Sequence, residues 1–526
     1  MTKFFDKCSV HQVLMQPVKL FGYPKTKDKV DALNLLRHCA DLGDIRYIYP
    51  LVFEKNAELA STAAQIVSEV MEKVQGKQWN TIYYRIKYTA IDIDRLDTLL
   101  NFDTKVSVHL LGIASLNYSG YIREKALKLV AGLSDPRMVP YILLRLNDWV
   151  LPVRNLAADI LKNTLVSENI DTFIENFCLI DKLHNVSRVD LKGVRNGIVE
   201  YLKNDNVIDK IKIQLRHENV KKRLFCYSLL EDKIAEDIDI INSALKDKSF
   251  EIRMWLVNAI KKLDENSRDD IIEKLLQDKS AKVRTAVLRN YEDIVLLKFR
   301  ERLLNLLSDD NASVREDARF ICKKHSIIKD FPEFYRQQIL INPVPGALVG
   351  LGETGDRNDY DLACKFFTHG DSKVKIPAMI SMWYLSKDDA VKYVIDSLES
   401  DIPKIRKTAK KLLKKSKMPQ ILFEMRNRLE GDNTEIKLFA LEVICNYRGW
   451  HALEGILFAI ANDEGIVLEK AKNLLGRCLT GLANIYTKPD KVTRDKIIGL
   501  YDDIRRKNVI SDRTIREISF FIETKM

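Results

Sequence analysis

Between Lys404 and Lys417 the chain reads KIRKTAKKLLKKSK, eight Lys or Arg and no acid. Cations at that density can neutralise phosphates or acidic side chains. The 526-residue chain has a formal net charge of +11, so this stretch supplies eight of the eleven units. The cations are Lys404, Arg406, Lys407, Lys410, Lys411, Lys414, Lys415 and Lys417. Ile405, Ala409, Leu412 and Leu413 fall between them at i, i+4, i+7 and i+8, the apolar stripe of a core-packing helix. Lys404, Lys407, Lys411 and Lys414 then form one row, with neighbours about 5 Å apart along the axis. The solvated back of an ordinary helix is the plainer account of these cations; a contact for an acidic protein or for a nucleic acid is the alternative.

A second candidate is YYRIKY, where Tyr83, Tyr84, Arg85 and Lys87 mix aromatic and basic side chains suited to a protein hot spot or to nucleic acid. Core packing of some of these tyrosines is the plainer account. Trp149, Trp255, Trp383 and Trp450 fall at different registers, so the sequence shows no aromatic ladder for stacking bases. GLGETG at 350–355 matches G-x-G-x-x-G by letters, but it lacks the strand and βαβ unit that dinucleotide binding needs and is expected at an inter-repeat turn. The eight cysteines are never closer than 31 residues, which rules out short metal-ligand or redox spacings and fits buried, reduced thiols. No nucleophile elbow, P-loop or H-E-x-x-H is present. The residues therefore point to no enzyme, no cofactor and no metal.

These candidates are positioned by a repeat. A β-branched residue followed by a cation occurs at Ile122-Arg123, Val153-Arg154, Val220-Lys221, Ile252-Arg253, Val283-Arg284, Val314-Arg315, Val374-Lys375, Ile405-Arg406 and Ile436-Lys437. Successive gaps are 31, 67, 32, 31, 31, 60, 31 and 31, so the long gaps are close to two periods. Four residues later comes Ala126, Ala157, Ala318, Ala378, Ala409 or Ala440, on the same helix face and small enough for close helix approach. Five residues earlier come Asp148, Asp247, Asp278 and Asp309. Asp148 is placed to cap a helix whose first turn takes Pro152. A cation in the first turn opposes the helix dipole, and these aspartates are the compensation. Each unit is thus helix, turn, helix, turn, and stacking buries a continuous two-layer core. Gly (20) and Pro (13) are scarce, as an all-helical chain requires.

The repeat resembles the HEAT family in its short form of about thirty residues, also known from phycobilin-lyase-type repeats. The resemblance implies an all-α fold, a right-handed α-α superhelix of armadillo/HEAT-like type built from roughly 31-residue helix pairs. It also implies Asp–Arg ladders between repeats, here Asp148, Arg154, Asp247, Arg253, Asp278, Arg284, Asp309 and Arg315. Lys375, Arg406 and Lys437 lack the preceding Asp and are freer to face a ligand. HEAT-like hydroxylases use several His-Glu pairs for iron, and this chain has only His217-Glu218.

The expected organisation is an N-terminal segment over 1–27, repeats over 28–75, an irregular insertion at 76–105, the main array at 106–480 and capping helices at 481–526. Within the array, 163–200 and 330–356 are degenerate, and Pro377 is expected to kink its helix. The N-terminus has no apolar signal core, which fits a soluble cytoplasmic protein. The function expected is a scaffold or adaptor holding another protein along a concave face of second helices. The alternative is a nucleic-acid-binding solenoid, with DNA or RNA held through 404–417. Neither a membrane nor a small-molecule substrate is indicated.

Overall fold

Second helices start where the repeat predicts them. In the computed structural model, which describes residues 7–16, 25–76, 78–186, 188–369 and 371–526, they include Gly120–Ala131, Leu151–Thr164, Phe250–Ala259, Ala281–Asn290, Ala312–Lys324, Ser372–Leu385, Pro403–Lys415 and Thr434–Tyr447. Of the expected N-terminal segment, residues 1–6 and 17–24 lie outside the described residues. Among the described residues there is no strand, and no helix is long and apolar enough to cross a membrane.

The chain divides into two units, Met1–Leu275 and Leu276–Met526, so the division falls inside the expected 106–480 array. In the first, Thr104–Ala114 pairs with Gly120–Ala131 and Val139–Arg145 pairs with Leu151–Thr164. In the second, Tyr360–His369 packs on Ser372–Leu385 and Pro419–Arg428 on Thr434–Tyr447. Within the second unit, second helices also pack on one another, as in the run Ser372–Leu385, Pro403–Lys415, Thr434–Tyr447 and Gly465–Ala483. The slots explain this contact. Val153, Ile252, Val283 and Val314 are fully buried, and so are Ala126, Ala157, Ala318, Ala378, Ala409 and Ala440 four residues after their β-branched partners.

Several expectations need correction. Asp148 does not cap the helix, because Val150 occupies that position; its carboxylate instead accepts the Val150 N–H at 2.9 Å, ahead of the first turn where Pro152 sits. At Val220-Lys221 the register is two residues off. Lys222 and Cys226 are the buried pair, while Val220 and Leu224 are half-buried. Lys222 fills an apolar slot because its stem is buried and its ammonium meets Glu175. The helix Ser372–Leu385 runs on through Pro377. The degenerate segment 330–356 keeps its helix pair, Phe331–Ile341 and Pro345–Thr354, so GLGETG lies largely within a helix rather than at a turn. Its glycines serve packing: a Cβ on Gly350 would stand 2.4 Å from the Tyr335 ring, and one on Gly352 2.6 Å from Ser381 Cα. The cysteines are mixed, with Cys226, Cys322 and Cys478 buried but Cys8 and Cys39 exposed.

Burial also creates a pH sensitivity in the first unit. His109 lies in Thr104–Ala114, 4% exposed, with Nδ1 3.1 Å from the Tyr141 hydroxyl and no partner for Nε2. Burial lowers its pKa from the ordinary 6.5 to about 4. The unfolded chain therefore binds a proton that the folded chain refuses between pH 6.5 and 4. Stability is complete above that window and falls as pH drops through it. We expect a loss of about 2 kcal/mol between pH 7 and pH 5, measured by urea denaturation, and a flatter profile for His109→Gln.

Candidate functional site

The arginines and aspartates named for a ladder between repeats bond in two ways. Each arginine donates Nη1–H to the main-chain oxygen six residues back. Arg154 reaches Asp148 O at 2.7 Å, Arg253 reaches Asp247 O at 2.6 Å, Arg284 reaches Asp278 O at 2.5 Å and Arg315 reaches Asp309 O at 2.6 Å. The carboxylate partner belongs to the following repeat. Arg123 holds Asp148 through Nε at 2.9 Å and Nη2 at 2.7 Å. Arg223 holds Asp247 at 2.8 Å through both nitrogens, and Arg284 holds Asp309 at 2.6 Å. One arginine thus closes its own turn and ties it to the next, with bidentate geometry that a lysine does not reproduce. Sequence reasoning left out Arg123 and Arg223; spacing of 24–25 residues to the next Asp was the signal. Where the next Asp is missing, Arg315 takes Glu353, the acid of GLGETG, which also accepts Arg319 Nη1 at 2.8 Å.

The basic helix Pro403–Lys415 sorts into two groups. Arg406 closes its turn on Ser400 O at 2.7 Å. Lys410 and Lys414 reach acids on the next second helix, Glu435 at 2.5 Å and Glu442 at 3.0 Å. The Lys410 hydrogen bond holds the Glu435 carboxyl below the ordinary range, and hydrogen bonds from Lys470 and then Lys414 do the same for Glu442. Lys404, Lys407, Lys411, Lys415 and Lys417 are exposed and have no ion pair among the described residues. Lys437, expected to be free, is instead a ladder member bonded to Asp463 at 2.6 Å, because the missing Asp before it does not matter when the partner comes from the next repeat. Lys375 is half-buried and lines a cavity of 370 Å³ with Tyr393 and Asp396.

In YYRIKY, Tyr84 and Tyr88 are each 72% exposed and Arg85 is exposed, Tyr83 and Lys87 are half-buried, and Ile86 is the one core residue. Lys87 Nζ lies 5.4, 5.5 and 4.6 Å from the ring centroids of Tyr83, Tyr84 and Tyr88. The Tyr88 ring is 5.9 Å from that of Tyr118, which is 58% exposed. Tyr83 and Tyr84 line a shallow pocket of 270 Å³ with Trp149, itself 67% exposed. The buried Arg145 forms its floor, 5.6 Å from the Tyr83 centroid, and burial lowers its pKa to about 10 despite Asp148.

Two of these aromatics share a structural position that sequence reasoning missed by comparing only the tryptophans. Tyr118 and Trp149 are 31 residues apart, each directly after the residue whose carbonyl receives a ladder arginine. Arg123 Nη1 donates to Asn117 O at 2.9 Å and Tyr118 O at 2.8 Å, and Arg154 Nη1 donates to Asp148 O. Tyr118 N–H in turn donates to Lys87 O at 2.8 Å. The ladder therefore sets exposed aromatic rings at successive turns on backbone it has fixed.

Helix pairs stacked through buried β-branched and alanine slots, and tied by arginine, define a helical-repeat protein of α-solenoid type. No family model and no curated protein sequence matches the chain. Among solved structures it is similar to a Kap121p mutant at 11% identity and TM-score 0.29, covering 98% of this chain and 58% of that one. It is similar to importin beta at 10% identity and TM-score 0.32, covering 97% and 80%, and to Kap121p bound to Ste12p at 11% identity and TM-score 0.30, covering 99% and 52%. The chain thus spans a little over half the length of the Kap121p chains it matches. Likeness this distant says nothing of what this chain binds.

Proposed function

We propose that the chain is a non-enzymatic scaffold that binds another protein across several consecutive repeats, along the edge where each turn enters the second helix and the second-helix face beyond it. The observation that carries this reading is the group of exposed aromatics Tyr84, Tyr88, Tyr118 and Trp149, the last two on turns closed by a ladder arginine. Large rigid aromatics flanked by cations supply contact area at low entropic cost, the composition of binding hot spots. The test is capture from native lysate, split into nuclease-treated and untreated halves. One protein enriched in both halves is expected. The triple variant Tyr88→Ala, Tyr118→Ala, Trp149→Ala should weaken that capture by more than about 30-fold, from at least 2 kcal/mol of hot-spot loss, at unchanged melting temperature. Undiminished capture by the triple variant would sink the reading.

A second reading, nucleic-acid binding, rests on the unpaired Lys404, Lys407, Lys411, Lys415 and Lys417. Five phosphate contacts give a log–log salt slope of about −4 to −5. A flat salt response excludes it.

A further inference from the structure

The second unit has a pocket that neither the ladder nor the aromatic row explains. It measures 560 Å³ and lies where three successive second helices end, after Pro403–Lys415, Thr434–Tyr447 and Gly465–Ala483. Four cations line it: Lys414, Lys417, Arg448 and Arg477. No carboxylate does. Lys414 shares Glu442 with Lys470, but Lys417, Arg448 and Arg477 are exposed without an ion pair among the described residues. Asn446 and Asn484 add neutral hydrogen-bond donors, and the half-buried Cys445 lies in the wall.

Cations near helix C-termini usually answer the dipole. That account is insufficient here. The last carbonyls of Gly465–Ala483 are already met by Lys525, whose Nζ lies 2.5 Å from Ala483 O and 3.2 Å from Leu482 O, which leaves Arg477 unused. Arg448 is more telling. It is the single residue between Thr434–Tyr447 and Gly449–Asn462, at φ 58° and ψ 176°. That corner of conformational space is essentially reserved for glycine, and side chains held there cluster at ligand clamps. Gly449 follows at φ 77°, so the turn places a strained arginine beside the residue type that would relieve it.

We propose that this pocket binds a small ligand bearing several clustered phosphates, held by Arg448, Arg477, Lys417 and Lys414. Guanidinium forks match phosphate oxygens in pairs, and two such forks facing one cavity suit more than one phosphate. The volume falls within the range of small-ligand sites. A free inositol polyphosphate and the same headgroup on a lipid share this chemistry.

The test uses the full chain and inositol hexakisphosphate in a calorimeter, with vesicles of phosphatidylcholine containing phosphatidylinositol 4,5-bisphosphate as a second arm. Binding to the soluble probe tighter than about 10 μM is expected. Arg448→Gly removes the guanidinium and the backbone strain together, so it should melt no lower than the native chain yet bind at least about tenfold more weakly, as loss of a charge-assisted pair requires. Arg477→Gln should do the same. Maleimide labelling of Cys445, mapped by mass spectrometry, should slow when the probe is bound. Lys387→Gln with Lys392→Gln, exposed and outside the pocket, should leave affinity unchanged. Vesicle flotation that the soluble probe competes away identifies the lipid headgroup as the source, and absence of flotation identifies the free ligand. No binding in either arm up to about 1 mM, or equal losses in the Lys387/Lys392 variant, overturns the proposal. None of these results depends on the protein partner proposed above.

Discussion

Asp148→Ala destabilises the first unit by about 3–5 kcal/mol, the cost of stranding buried charge. The carboxylate accepts two hydrogen bonds from Arg123, one from Arg145 at 2.7 Å and one from Val150 N–H. Arg123 and Asp148 side chains are each 1% exposed, so water cannot replace what is lost. Arg145 is already strained by burial, which lowers its pKa to about 10 even with Asp148 in place. Alanine leaves both guanidiniums without a counter-charge. Asp148→Asn, which keeps an acceptor, should cost less. Asp159→Ala, which removes an exposed pair with Lys162, should cost under about 0.5 kcal/mol. Hydrogen exchange of the full chain reads this locally: protection should fall across residues 117–154 in Asp148→Ala and stay unchanged in Asp159→Ala. Equal protection in both would mean that the ladder does not hold the turns.

Gly346→Ala is the second large effect, and its sign depends on packing rather than helix propensity. A Cβ there would stand 1.9 Å from Ser308 O and 2.6 Å from Asp309 O. The obstructing turn cannot retreat, because Asp309 is held by Arg284 at 2.6 Å, Asn311 N–H at 2.8 Å and Arg315 at 2.6 Å. Overpacking against fixed backbone costs about 1–3 kcal/mol or more. Gly499→Ala is the counter-experiment. Gly499 is helical, within Lys491–Lys507, and an added Cβ meets nothing within 4 Å. Alanine there should stabilise by about 0.5–1 kcal/mol. Thermal denaturation of the two variants should therefore move in opposite directions.

Helix pairing was legible because the 31-residue register recurs in residues that only burial selects, such as Val153 with Ala157 and Ile405 with Ala409. The ladder was half legible. Arg and Asp types were visible at fixed positions, but main-chain acceptors leave no sequence trace, and the carboxylate partner lies a repeat away. Lys437 was misjudged for that reason, since its partner Asp463 follows it rather than precedes it. At Lys222-Arg223 a buried lysine stands in the apolar slot, so a search for β-branched residues settled on Val220 instead. Glu353 could not be read at all, because it reaches Arg315 from a helix whose glycines pointed to an inter-repeat turn. The aromatic row was hidden by mixed residue types, although Tyr118 and Trp149 keep the period. The pocket around Arg448 depends on a backbone angle, which no spacing encodes.

The central claim is that ladder-fixed aromatics form a protein-binding surface. Its most direct test replaces Tyr118 with a photo-crosslinking phenylalanine analogue in the full chain, with Ile238, an exposed residue outside the row, as the control position. The account predicts one protein crosslinked from position 118 after nuclease treatment, absent from position 238 and lost when Trp149→Ala is added. Crosslinking from both positions to the same mixture of proteins, or none from position 118, contradicts it.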